Sequence, residues 1–151
     1  MPAPYEGHCL CGTVRYRVTQ EPVTFYACHC TDCQRRTGAA FALSFIVRRE
    51  AIEIVSGETA PYAITQHDGR KRTGQLCPAC ATRLWSEPAR LPGMAIVQPG
   101  TLEQPLGLAP VAHIWTKSAQ PWFVFPPGAV KFEGQPTDYG ELMRLWDASG
   151  A

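Results

Sequence analysis

The chain has 151 residues, 45% hydrophobic and 18% charged, with 14 basic against 13 acidic side chains. That length buries a core without a partner, the hydrophobic and charged fractions are those of a globular chain, and the formal charge of +1 gives nucleic-acid binding no support. No apolar stretch nears the ~20 residues of a membrane span. Met1-Pro2-Ala3-Pro4-Tyr5-Glu6 has neither the basic start nor the apolar run of a secretory signal, so a soluble, cytoplasmic protein of one domain over residues 1–151 is expected.

Taken in chain order, period-two alternation or short β-branched and aromatic runs occur at 13–18, 41–47, 52–55, 62–65, 94–98, 112–116 and 122–125. They predict strands and a mainly β fold. Turn signals separate the runs: Ser56-Gly57, Asp68-Gly69, Pro92-Gly93, Pro99-Gly100 and Pro127-Gly128. A helical turn is predicted over 31–37. A second is predicted near the end, over 138–146, where Thr137 or Asp138 can cap and Leu142, Leu145 and Trp146 share a face. Phosphate loops, dinucleotide fingerprints, nucleophile elbows and His-Glu-x-x-His pairs are all missing from the sequence, which removes those enzyme classes.

All seven cysteines fall in three clusters, Cys9-Leu10-Cys11, Cys28-His29-Cys30-Thr31-Asp32-Cys33 and Cys77-Pro78-Ala79-Cys80. Thiolates two or three residues apart converge on one small ion across a tight turn, and tetrahedral zinc is the ion that most often uses such pairs. Disulfides fit badly, since an odd count leaves one thiol over. Seven divides into four and three: a closed site that holds a fold together and an open one that can do chemistry. Two partitions follow from spacing. A zinc ribbon would join Cys30 and Cys33 to Cys77 and Cys80 and strand the other three; the alternative joins Cys9, Cys11, Cys77 and Cys80, leaves Cys28, Cys30 and Cys33 as a trio, and uses every cysteine. Four thiolates around Zn²⁺ carry −2 and three carry −1, so filling both sites argues further against a polyanionic partner.

The wording around these clusters is specific. Gly7-His8-Cys9-Leu10-Cys11-Gly12-Thr13-Val14-Arg15-Tyr16, Cys28-His29-Cys30-Thr31-Asp32-Cys33-Gln34-Arg35-Arg36-Thr37-Gly38 and Cys77-Pro78-Ala79-Cys80-Ala81-Thr82-Arg83-Leu84-Trp85 resemble the glutathione-dependent formaldehyde-activating enzyme family, which includes the centromere protein V group. Gly100-Thr101-Leu102, His113-Ile114-Trp115 and Pro121-Trp122 match its later landmarks, so the resemblance runs over a core of about 7–132, leaving 133–151 as a tail with a short helix. The resemblance implies a β-tent-like fold of stacked antiparallel sheets and two zinc ions per chain. A structural zinc would sit on Cys9, Cys11, Cys77 and Cys80, and a catalytic one on Cys28, Cys30 and Cys33, which favours the second partition. It also implies a carbon–sulfur lyase-type enzyme that joins or separates a glutathione-like thiol and a small aldehyde such as formaldehyde. The chain departs from the family pattern at Ala81, where Gly is usual, and at Ala39, where Ser is usual. Ala81 cannot enter a positive-φ turn as cheaply as Gly, and Ala39 lacks a hydroxyl that could meet a substrate.

A free thiol is only a few per cent thiolate at neutral pH, so metal coordination helps it attack a carbonyl. Three thiolates make a weakly acidic zinc, which favours thiol capture over water activation. The competing reading is a zinc-stabilised binding module whose second site is closed by His29, His67 or His113. His29, between two ligands, is expected to point away from the metal, and His113 to be a core histidine. Arg35 and Arg36 could hold substrate carboxylates or be solvated; Lys117 carries the same ambiguity, as does Arg70-Lys71-Arg72, read as a hairpin tip. Trp85, Trp115, Trp122 and Phe123 are expected mostly in the core.

Overall fold

The computed structural model describes residues 3–151; Met1 and Pro2, part of the segment read for a signal, lie outside the described residues. The fold is mainly β. Among the described residues the strands form two sheets, α-helix is confined to two short elements, and the chain divides into two compact units.

The first unit comprises the described residues 3–22 and 45–107. It holds β1 (Tyr5–His8), β2 (Arg15–Val18), the end of β4 (Ala42–Arg48), β5 (Ile52–Ser56), β6 (Ala60–Thr65), β7 (Lys71–Leu76), β8 (Arg83–Pro88) and β9 (Met94–Val97). One sheet runs β1-β2-β5 and the other continues β4-β9-β8-β7-β6, antiparallel throughout. Alternation aims every second side chain of β1 and β2 inward. Tyr5 meets Phe45 edge-on at 5.5 Å and Tyr16 meets Trp85 at 5.9 Å, so aromatic rings join the two sheets. The Tyr16 hydroxyl is hydrogen-bonded to Thr101 Oγ1 at 2.6 Å, which removes the cost of burying it. Opposite Tyr16, position 7 must be Gly, because a Cβ there would stand 2.7 Å from the ring.

The second unit comprises residues 23–44 and 108–151. It holds β3 (Thr24–Cys28), α1 (Thr31–Thr37), the start of β4, β10 (His113–Ile114) and α2 (Tyr139–Ser149). The short β10 pairs parallel to β3, with His113 opposite Ala27 and Ile114 opposite Cys28. Asp138 caps α2 by accepting from Gly140 N at 2.8 Å. Leu142 and Trp146 are buried, Trp146 against Phe25, and Thr24 Oγ1 donates to the Leu142 carbonyl at 2.9 Å. The C-terminal helix thus packs on β3 within this unit.

Both expected helices form; α1 has the expected bounds, and α2 starts one residue later and ends three residues later than expected. The expected strands at 41–47, 52–55, 62–65 and 94–98 appear within two residues, whereas 112–116 shrinks to two residues and 122–125 is no strand. There Phe123 and Phe125 turn inward while Trp122 and Val124 are 69% and 84% exposed, so the alternation reflects facing without pairing. Four strands had no sequence prediction: β1, β3, β7 and β8. The basic stretch is also not a hairpin tip throughout, since only Arg70 lies at the turn; Lys71 and Arg72 lie in β7, and buried Arg72 donates to Ser86 Oγ at 2.9 Å.

Candidate metal centres

The first centre lies in the first unit. The sulfurs of Cys9, Cys11, Cys77 and Cys80 all lie within 4.8 Å of one another. Two loops of matching construction present them. In Cys9-Leu10-Cys11-Gly12-Thr13, Gly12 N donates to the Cys9 carbonyl at 3.0 Å with Gly12 at φ +77; in Cys77-Pro78-Ala79-Cys80-Ala81-Thr82, Ala81 N donates to the Cys77 carbonyl at 2.8 Å with Ala81 at φ +60. Each loop thus doubles back through a left-handed residue, and a Thr follows. Thr13 Oγ1 lies 3.1 Å from Cys11 Sγ, and Thr82 Oγ1 lies 3.0 Å from Cys80 Sγ. Those hydroxyls favour the thiolate: they lower the Cys11 thiol, and bring Cys80 down to about 5. Leu10 N donates to Thr82 Oγ1 at 3.1 Å and ties one loop to the other. The repeated Cys-small-Thr pattern is a sequence signal for these hydroxyls that the cysteine spacing alone does not carry.

The donor set fits zinc. A tetrahedron with Zn–S bonds near 2.3 Å has edges of roughly 3.8 Å, and Cys9–Cys11 and Cys11–Cys77 stand 3.5 and 3.8 Å apart. All seven cysteines are free thiols.

A cleft of about 450 Å³ adjoins this centre, lined by Cys9, His8, Thr82, Glu103 and Gln104 among others. Its Glu103 lies 3.8 Å from His8, which also lines the cleft, and 3.8 Å from Arg15 outside it.

The second centre is in the second unit, where β3 ends and α1 begins. The sulfurs of Cys28, Cys30 and Cys33 lie within 4.8 Å of one another, and among the described residues no fourth His, Cys, Asp or Glu joins them. Cys28 and Cys33 are buried and Cys30 is half-buried, so the trio opens on the Cys30 side. Cys30 caps α1, its Sγ accepting from Cys33 N at 3.3 Å. Of the three thiols Cys33 ionises most readily: Cys28 and then Cys30 hydrogen-bond to it, and Arg36 Nη2 stands 3.7 Å from its sulfur. Hydrogen bonding with Cys30, then with Cys33, together with burial pushes Cys28 far up. Three soft donors at this spacing are compatible with zinc.

Around the trio, the histidine between its first two members faces elsewhere. His29 is fully buried, 2.9 Å from His113 Nδ1, and its ring contacts Phe41, Phe123 and Phe125. The expectation that His113 is a core residue holds too, at 7% exposure. His67 sits in the β6–β7 turn. Arg35 is exposed, and Lys117 lies 4.8 Å over the Trp115 ring. Ala39 is exposed just past the left-handed Gly38 that ends α1. Trp85 is core, Phe123 and Trp115 half-buried, and Trp122 exposed. The amide of Gln34 and the hydroxyl of Ser118, which no cysteine motif singles out, both reach the peptide carbonyl of His29.

The sequence profile of the family described as glutathione-dependent formaldehyde-activating enzyme matches residues 4–118. A Halomonas elongata protein provisionally named a glutathione-dependent formaldehyde-activating enzyme is 25% identical over 78% of this chain and 78% of its own. A crystal structure of a Rhodobacter sphaeroides protein shares the fold, with a TM-score of 0.52 at 20% identity over 84% of this chain and 98% of that one. The chain belongs to the glutathione-dependent formaldehyde-activating enzyme family.

Proposed function

We propose that the chain is a zinc-dependent enzyme that forms and cleaves the adduct between a low-molecular-weight thiol of the glutathione kind and a small aldehyde such as formaldehyde. Cys9, Cys11, Cys77 and Cys80 would hold a structural zinc, and Cys28, Cys30 and Cys33 a catalytic one. The observation that carries this reading is the difference in donor number between two otherwise similar sulfur clusters, four in one and three in the other. Zinc bound by the trio supplies the positive charge that keeps an incoming thiol ionised at neutral pH.

The reaction joins the thiol sulfur to the aldehyde carbon, opens the carbonyl π bond and moves the thiol's proton to the new hydroxyl. It is a carbon–sulfur lyase reaction when run backward. The protein's share is binding and orientation. Half-buried Cys30 marks the side from which a thiol reaches the trio, while Cys28 and Cys33 are shielded. Arg36, beside the Cys33 sulfur, adds positive charge where a substrate thiolate would stand. His29 is turned into the aromatic cluster and bonded to His113, so its ring is not placed among the three sulfurs.

Two-dimensional exchange NMR on glutathione with formaldehyde tests this. Exchange faster than in a Cys30→Ser control is expected. No acceleration with any thiol–aldehyde pair, while zinc fills both sites, would replace the enzyme with a zinc-stabilised binding module.

A further inference from the structure

The peptide carbonyl of His29 sits between two members of the trio, and its two acceptor positions are both taken by side chains. Gln34 Nε2 donates to it at 2.8 Å and Ser118 Oγ at 2.9 Å. The second N–H of the Gln34 amide goes to the Ser118 carbonyl at 2.9 Å, and its oxygen accepts from Gln120 Nε2 at 2.6 Å. The orientation of the Gln34 amide is thereby fixed, because a flipped amide would aim its oxygen at two carbonyls. Ser118 has one hydroxyl proton to share between the carbonyls of His29 and Trp115, so Gln34 is the stronger of the two clamps.

This carbonyl lies where the ladder stops. His29 N still donates to the Ile114 carbonyl at 3.0 Å, as the strand pairing requires, but at Cys30 the chain turns to cap α1. Past that point neither strand nor helix offers a donor to the His29 carbonyl, and a buried carbonyl without one costs free energy. The residues that answer come from inside α1 and from the 3-10 turn Thr116–Ser118. That turn follows Trp115, which is held at φ +59, a conformation non-glycine residues seldom adopt.

We propose that Gln34, assisted by Ser118, is a positioning residue that locks the Cys28-His29-Cys30 segment in the conformation where its sulfurs converge with Cys33. The proposal rests on reading the trio as a metal site. Gln34 touches neither metal nor substrate in this account; it acts through the backbone that carries two of the ligands. Hydrogen-bond partners that orient metal ligands are worth about 10–100-fold in affinity.

The test is zinc transfer from the purified, zinc-loaded protein to a chromogenic chelator, followed by absorbance, in wild type, Gln34→Leu, Ser118→Ala and Ser118→Thr. Wild type is expected to release two zinc ions in two phases, the phase lost in Cys30→Ser belonging to the trio. Gln34→Leu should speed that phase by about 10-fold or more and leave the other unchanged, with Ser118→Ala smaller in the same direction and Ser118→Thr like wild type. If Gln34→Leu fails to fold, the contrast between Ser118→Ala and Ser118→Thr decides. Two phases in wild type with the trio phase unmoved in the variants overturn the positioning role and leave the proposed function standing. Both phases accelerating together mark a general structural role and overturn it as well. A single zinc in wild type overturns the trio site itself.

Discussion

His29 Nε2 and His113 Nδ1 stand 2.9 Å apart, with His29 fully buried and its ring 5.1, 4.9 and 5.3 Å from those of Phe41, Phe123 and Phe125. Burial disfavours the charged imidazole, and His113 adds to this, so His29 is pushed down to about 4. The pair is neutral, one ring donating and the other accepting. A histidine within a Cys-His-Cys sequence invites the role of ligand; here it is a core residue that fastens β3 to β10.

His113→Ala should therefore destabilise the fold while sparing the metal. It leaves His29 Nε2 buried without a partner, in addition to Nδ1, which already has no hydrogen bond. An unsatisfied buried group costs about 1–3 kcal/mol, and the vacated space adds to that. Urea unfolding of zinc-loaded protein should show the lower midpoint with zinc content unchanged. Loss of one zinc without loss of stability would instead make His113 part of the metal site.

The two sulfur centres should fail differently. Cys11 and Cys77, 3.8 Å apart in space, are 66 residues apart in sequence, so a metal between them closes a long loop and its binding energy becomes folding energy. The trio spans one local turn. Cys77→Ser should lose a zinc and lower the thermal midpoint by on the order of 10 °C or more, a loss of several kcal/mol. Cys30→Ser should lose a zinc yet melt close to wild type. Equal melting of the two variants would overturn the division into a structural and a catalytic centre.

How far the sequence reveals the molecule depends on what a pattern reports. Cysteine spacing and number mark both sulfur clusters, because ligand convergence is a local property of tight turns, and the family resemblance selects between the two pairings. Helix α1 is legible from its own residues. Strand β3 is not: it is buried along its whole length, so Thr24-Phe25-Tyr26-Ala27-Cys28 shows no alternation. Strand β7, Lys71-Arg72-Thr73-Gly74-Gln75-Leu76, is polar with a glycine inside. Its assignment comes from the cross-strand fit of Tyr62 over Gly74, where any Cβ would meet the ring at 2.3 Å. The clamp on the His29 carbonyl is equally silent, since Gln34 and Ser118 are 84 residues apart and meet only in the folded chain.

Ala81 offers a stabilising substitution. It is exposed and sits at φ +60, while its counterpart in the other sulfur loop is Gly12 at φ +77. The left-handed region costs a residue bearing a Cβ about 1–2 kcal/mol. Glycine relieves that at an unfolded-state entropy penalty of about 0.4–1 kcal/mol. Ala81→Gly is expected to gain roughly 0.5–1 kcal/mol, seen as a melting midpoint about 1–4 °C higher in zinc-loaded protein. Ala89→Gly, at an exposed position outside the left-handed region, should change stability in the opposite direction. A lower midpoint for Ala81→Gly would mean that the alanine methyl contributes to the site.

The four-cysteine centre also leans on a glycine remote from it in sequence. Gly57 has φ +78, and a Cβ there would stand 2.3 Å from the Thr13 carbonyl oxygen, 3.0 Å from its carbon and 3.1 Å from Val14 Cα. All three are backbone atoms that cannot swing aside. Thr13 carries the hydroxyl beside Cys11, and Val14 N donates to Cys9 Sγ at 3.3 Å, so Gly57→Ala displaces the segment that aims two of the four sulfurs. Gly69→Ala separates this push from backbone strain, because Gly69 has φ +85 and a methyl added there would meet nothing within 4 Å. Gly69→Ala carries the left-handed cost of about 1–2 kcal/mol, offset by about 0.4–1 kcal/mol of unfolded-state entropy, and should lose roughly 0.5–1 kcal/mol net. Gly57→Ala should cost clearly more and should also hasten zinc release from the four-cysteine centre, leaving release from the trio as in wild type. Equal losses of stability in the two variants, with zinc release unchanged in both, would show that the Thr13 segment yields without disturbing the sulfurs.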